Sequence, residues 1–228
     1  MMTGTTMHLV WALIVFVGGH FLLSHPLRAP LVGLLGETGF RGLYSLIALA
    51  SLIWVAFAYR AAPVTVLWPH AEALRWPVHG VMLLAAVLFA GSFAGNPYVK
   101  MMTTGLQSTP QPSGVYAITR HPMMWAFGLW ALAHMATSGD VPTVLLGAGI
   151  ALLALLGAAL QDVKLAARLG ALWWDFQAHT SYFPFLAIAQ GKTPLKAVGL
   201  FPLLAGAALY LALVYAHPWI AGVSALAH

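Results

Sequence analysis

Long unbroken apolar runs alternate with short polar connectors along the chain. The runs show neither the two-residue alternation of a half-buried strand nor the regular polar stripe of a surface helix. Six of them approach the roughly 20 residues that a helix needs to cross a bilayer: His8–Leu23, Arg41–Tyr59, Trp76–Phe93, Met123–Thr137, Val141–Leu160 and Leu195–Ala216. Continuous hydrophobicity also excludes a transmembrane β-barrel, whose strands alternate lipid-facing and lumen-facing residues. The pattern predicts an all-α fold: a polytopic transmembrane helical bundle of about six spans, forming a single domain over residues 1–228. No Lys or Arg precedes the first run, and Leu22–Leu23–Ser24 continues into His25–Pro26, so it reads as a span rather than a cleaved leader. Gly147, Gly149, Gly157, Gly199 and Gly206 are candidates for close helix contacts. Pro202 is expected to kink the last span.

Two connectors are more than passive. Ser24–Arg41 reads as a short interfacial helix. Gln161–Ala178 mixes Asp162, Lys164, Arg168 and Asp175 with Leu165, Leu169, Trp173, Trp174 and Phe176, which predicts an amphipathic helix at the headgroups with its aromatics in the interface. Basic residues set the orientation. Arg28, Arg41, Lys100, Arg120, Lys164, Arg168, Lys192 and Lys196 fall in the first, third and fifth connectors, and only Arg60 and Arg75 on the other side. With six crossings, that bias puts the odd connectors in the cytoplasm and both termini outside, in a bacterial inner membrane.

Composition removes whole classes of function. Of 228 residues, 61% are hydrophobic and 7% charged, against about 25% charged in a soluble domain. Mean hydropathy is +0.86. A soluble enzyme, a nucleic-acid binder and a disordered regulator are all excluded, and the partners expected are membrane lipid and apolar small molecules. The net charge of +5 is an orientation signal. There is no cysteine, hence no thiolate nucleophile and no Cys-based metal site. Histidine is the anomaly, since its ten copies equal all Lys and Arg together.

Ionisable groups inside a membrane are costly and therefore candidates for function. Inside the six runs the histidines His20, His79 and His134 stand out, Lys196 lies at the very start of the last, and there is no Asp or Glu, which disfavours a proton pump or an ion-coupled transporter. His20 follows Gly18–Gly19, so it is either an interfacial histidine bonded to a carbonyl or a ligand beside space cleared for a flat macrocycle. His134 is either a helix-terminal cap near Ser138–Gly139 or a ligand. His79 opens its span, where a cap or a contact suffices. Imidazole pairs without thiolate or carboxylate suit haem iron, whereas zinc wants three or four ligands. Trp130, with Trp125, Phe127 and the nearby methionines, is either packing or the wall of a porphyrin. Arg120–His121–Pro122 opens the fourth run, with proline at a first helical turn; there Arg120 and His121 either anchor the interface or hold an anion such as a propionate.

Tyr116–Ala117–Ile118–Thr119–Arg120–His121–Pro122–Met123, followed by Leu129–Trp130–Ala131–Leu132–Ala133–His134, resembles the NnrU family. That family joins bacterial membrane proteins linked to denitrification with 15-cis-zeta-carotene isomerases. His20 through Arg28, Gly36–Glu37 and Gly42–Ser45 look like the family's first membrane motif, and Thr180–Phe185, Gly191 and Ala216–Pro218 are similar to the isomerase branch. The resemblance implies a haem b protein with iron held by His20 and His134 as the catalytic pair; by position, Arg120, His121, Trp130 and His79 are the candidates for further cofactor contacts. It implies cis–trans isomerisation of the central double bond of a carotenoid-like polyene. The branch carries cysteine at the position of Ala131, so here ligation is expected to stay bis-imidazole on reduction. Depth along the spans offers other pairings, His20 with His121 and His79 with His134. The family's accessory role in denitrification, without catalysis, stays open. So does S-adenosylmethionine-dependent methyl transfer, because isoprenylcysteine and phospholipid methyltransferases share Arg-His-Pro before a membrane helix.

The cysteine-free sequence makes orientation directly measurable. A single cysteine placed at Lys192 is expected to react with an impermeant maleimide only from the cytoplasmic face; labelling from outside reverses the assignment.

Overall fold

The structure is a computed structural model that describes residues 5–70, 72–103 and 108–226. Among them the fold is helical throughout, with one isolated β-bridge between Val66 and Asp140. The helices are α1 (Thr6–Ser24), α2 (Arg28–Ala61), α3 (Arg75–Gly91), α4 (Pro97–Thr103), α5 (Pro122–Ser138), α6 (Val141–Leu169), α7 (Ala171–His179), α8 (Leu186–Ala189) and α9 (Phe201–Ala221). Five segments are long and apolar enough to cross a membrane: α1, α2, α3 with the turn before it, α6 and α9. The sixth expected span folds as α5, whose 17 residues reach about 25 Å at 1.5 Å per residue. That is at the short end of the roughly 17–25 residues a crossing helix uses, as expected for the shortest of the six runs.

The chain divides into two compact units, Met1–Ala71 with His134–Leu153 and Glu72–Ala133 with Ala154–His228. In the first, Leu9, Ala12, Leu13, Phe16 and Val17 of α1 pack on Val55 and Ala58 of α2, with Leu145 and Leu146 of α6 alongside. The Thr5 hydroxyl caps α1 by accepting from the His8 amide. α2 contains the expected interfacial segment, but joined to a span. Gly36, at φ 69°, breaks the helix after its first eight residues, a conformation that favours glycine. Glu37 then receives Arg28 at 2.8 Å and Arg41 at 3.3 Å across the break.

In the second unit α3 lies against α9 so closely that a Cβ on Gly206 would collide with the Val87 backbone. Of the other glycines named from sequence, Gly149 meets Leu13, Gly157 faces open space, and Gly199 sits in a turn at φ 71°. Pro202 does not kink α9. It lies in the helix's first turn, where a missing amide costs nothing, and Pro218 is the proline inside. The amphipathic stretch is also rearranged. α6 runs on to Leu169, the chain breaks at Gly170, and α7 follows. Trp173 and Phe176 are fully buried with Tyr98, Tyr116 and Leu165, while Trp174 is 62% exposed. The aromatics that looked interfacial build a core because they fall three residues apart on one helical face.

Gly206→Leu is expected to force α3 and α9 apart and to cost at least about 1–3 kcal/mol, as overpacking does. Gly157→Leu, beside open space, is expected to leave stability unchanged. Thermal unfolding of both variants in detergent makes the comparison.

Candidate functional site

Two polar constellations stand out, one in each unit. In the first, His20 occupies the last turn of α1. Its Nδ1 lies 2.6 Å from the Phe16 carbonyl. A carbonyl only accepts, so Nδ1 carries the proton and the neutral ring's lone pair is on Nε2. The ring meets Phe16 and Tyr44 edge-on. With Gly19, Leu23, Ile47, Ala48 and Ser51 it lines a narrow groove between α1 and α2. Gly18 and Gly19 border open space. The Ser24 hydroxyl donates to the His20 carbonyl at 2.5 Å and fixes the helix end. His134 belongs to the same unit; it is half-buried near the end of α5, and its carbonyl accepts from the Thr137 hydroxyl.

In the second unit Arg120 and His121 converge on one carboxylate. Asp162 accepts from Arg120 Nε at 2.9 Å, from Arg120 Nη2 at 2.6 Å, and from His121 Nε2 at 2.7 Å. All three side chains are at least 87% buried. Burial makes such a pairing obligatory, since a lone charge there is costly. The segment that presents them is clamped from outside. The Arg120 amide donates to the Ser181 carbonyl, the Phe185 amide to the Ile118 carbonyl, and the Thr119 hydroxyl to the Tyr182 carbonyl. Tyr182 packs on His121 and donates its hydroxyl to the Leu155 carbonyl in α6. Burial pushes the Tyr98 hydroxyl well above its ordinary pKa, aided by Tyr116 and the Asp162 charge and opposed by Arg120. Burial also raises Tyr116, to about 12.

The remaining candidates lie in this second unit. Trp130 is half-buried on α5. His79 Nδ1 is 2.7 Å from the Tyr210 hydroxyl, an α3–α9 contact. No three His, Cys, Asp or Glu among the described residues form a group that could hold a bare metal ion. His20 has one ring nitrogen held on a carbonyl and the other carrying the lone pair.

Sequence reasoning missed Asp162 as the hub. The chain has five acidic residues, and four have local partners: Glu37 with Arg28 and Arg41, Glu72 with Arg75, Asp175 with His179, and Asp140 capping α6 through the Thr143 amide. A buried Arg-His pair needs an acid, and elimination would have left Asp162.

An all-helical membrane protein with isolated histidines and one buried Arg-His-Asp cluster is the class that this fold and these sites define. The family model described as NnrU protein matches residues 8–225, and the chain belongs to that family. It is 37% identical over 123 residues to a protein of Arabidopsis thaliana named 15-cis-zeta-carotene isomerase, chloroplastic, covering 51% of this chain and 33% of that one. It is 29% identical over 157 residues to the Zea mays protein of the same name, covering 63% and 43%. The matched stretches thus span well under half of either plant relative. No solved structure is significantly similar.

Asp162→Ala is expected to cost about 3–5 kcal/mol, because it strands a buried guanidinium. Glu37→Ala, whose pair with Arg28 is more than 40% exposed on each side, is expected to cost no more than about 1 kcal/mol. Detergent-solubilised melting curves of the two variants separate the outcomes.

Proposed function

We propose that this protein is a membrane-embedded cis–trans isomerase of a 15-cis polyene such as zeta-carotene, with haem b held by His20 and His134. The observation that carries the reading is His20: its Nδ1 is committed to the Phe16 carbonyl and its Nε2 lone pair is left for a metal, beside a narrow, mainly apolar groove between α1 and α2. The names of the two plant relatives supply the substrate class.

Isomerisation suits such a site because it consumes no co-substrate and leaves every atom in place. Bound haem would supply an electron-withdrawing iron that eases rotation about a conjugated bond. The protein's own part is positioning. Phe16 fixes the tautomer of His20, and Tyr44 holds its ring edge-on. Leu23, Ile47 and Ala48 present the apolar part of the groove beside it. The substrate reaches the groove from the lipid, past Gly18 and Gly19, which leave the side of α1 clear.

Protein purified in detergent from haem-replete cells is expected to be red, with a six-coordinate low-spin spectrum that stays bis-imidazole on reduction. His20→Ala and His134→Ala are each expected to abolish the low-spin bands, and His8→Ala and His70→Ala to keep them. In a carotenoid-making bacterial host grown in the dark, expression is expected to deplete the 15-cis isomer. A colourless protein overturns the cofactor. An unchanged isomer profile at full haem occupancy overturns the isomerase and leaves an electron-transfer role.

A further inference from the structure

The second unit holds hydrogen-bond donors with no acceptor. Tyr98 is 8% exposed and Trp173 not at all, yet the Tyr98 hydroxyl and the Trp173 indole N–H have no partner. Their rings lie 5.3 Å apart, centroid to centroid, in one cluster with Tyr116 and Phe176. Buried donors are normally satisfied, and an unsatisfied one is costly. Indole only donates, and the raised pKa of Tyr98 keeps its hydroxyl a donor. What the cluster lacks is therefore an acceptor. An anion does not fit: beside the cluster, where His121 packs on Tyr98, the Arg120 charge is already cancelled by Asp162.

Position narrows the class further. The Tyr116 hydroxyl donates to the carbonyl of Ser92, the cap of α3, and Leu165 lies in the last turns of α6. His121 immediately precedes α5, and Val198 lies just ahead of α9. The cluster thus sits where two helices of this unit end and two begin. That is the depth at which the polar end of a membrane-dissolved molecule lies.

We propose that this aromatic cluster binds the carbonyl end of a neutral, membrane-dissolved molecule, with Tyr98 and Trp173 donating to its oxygen. A quinone ring and the acyl ester of a lipid both carry that chemistry. The site involves none of the haem ligands proposed above, so it stands or falls separately from them.

Delipidated wild-type protein in dodecyl maltoside is titrated with decylubiquinone and, separately, with dihexanoylglycerol, followed by tryptophan fluorescence and calorimetry. Saturable binding of either probe is expected, weakened about tenfold, or about 1.4 kcal/mol, by Tyr98→Phe and by Trp173→Phe, and unchanged by Tyr210→Phe. Whichever probe binds identifies the source. Infrared difference spectra of the wild-type complex with a carbonyl-13C probe give a readout that needs no variant, since a donated hydrogen bond lowers the carbonyl stretch. Absence of saturable binding, equal affinity for Tyr98→Phe, or an unshifted carbonyl band overturns the site and assigns both donors to ordered water.

Discussion

The buried carboxylate of Asp162 is the constraint on which the second unit depends. It takes three short hydrogen bonds from two consecutive residues, so its position on α6 fixes both the start of α5 and the segment that leads into it. Everything clamped to that segment follows: the 181–185 turn, Tyr182 with its reach to Leu155, and the ring of His121 against Tyr98. In a low-dielectric interior none of these charges can stand alone, so the cluster forms whole or not at all. Phe185 accepts a left-handed backbone at φ 64°, a cost for a bulky residue that the surrounding hydrogen bonds offset.

The first unit works by a different logic. It has no buried charge pair among its described residues, and its core is aliphatic packing of α1 on α2. Its polar feature is a histidine whose protonation is set by the backbone of its own helix. Such a residue needs no partner from elsewhere in the chain to be ready as a ligand. Its surroundings are mainly apolar, with Phe16, Leu23, Ile47 and Ala48 beside the hydroxyls of Tyr44 and Ser51.

Much of this was legible in the sequence. Uninterrupted apolar runs gave the helical membrane class, with five of the six runs folding as long apolar helices and the short fourth as α5, because hydrophobic length is the dominant signal in a bilayer protein. Residue patterns also pointed to the family, and the match over residues 8–225 agrees. What was not legible depended on contacts far apart in the chain. Asp162 lies 42 residues beyond Arg120, and in a linear reading it looked like one charge on a solvated face. Trp173 and Phe176 looked interfacial because aromatics prefer both the interface and the core, and only Tyr98 and Tyr116, supplied by other segments, decide between the two. Pro202 changed its meaning once the helix was seen to start at Phe201.

The connection after α2 and the turn between α5 and α6 are stitched together. Val66 and Asp140 form the one described β-bridge, the Leu67 and Trp68 amides share the Gly139 carbonyl, the Val141 amide donates to Thr65, and a Cβ on Gly139 would strike the Trp68 carbonyl. Loops in helical bundles usually drift freely in length as sequences diverge, since their closure entropy grows slowly with added residues. These two are not independent, because an insertion in either moves three backbone hydrogen bonds out of register. Across sequences of this family their lengths should vary together or not at all, which makes this pair of loops a poor place to insert an epitope or reporter.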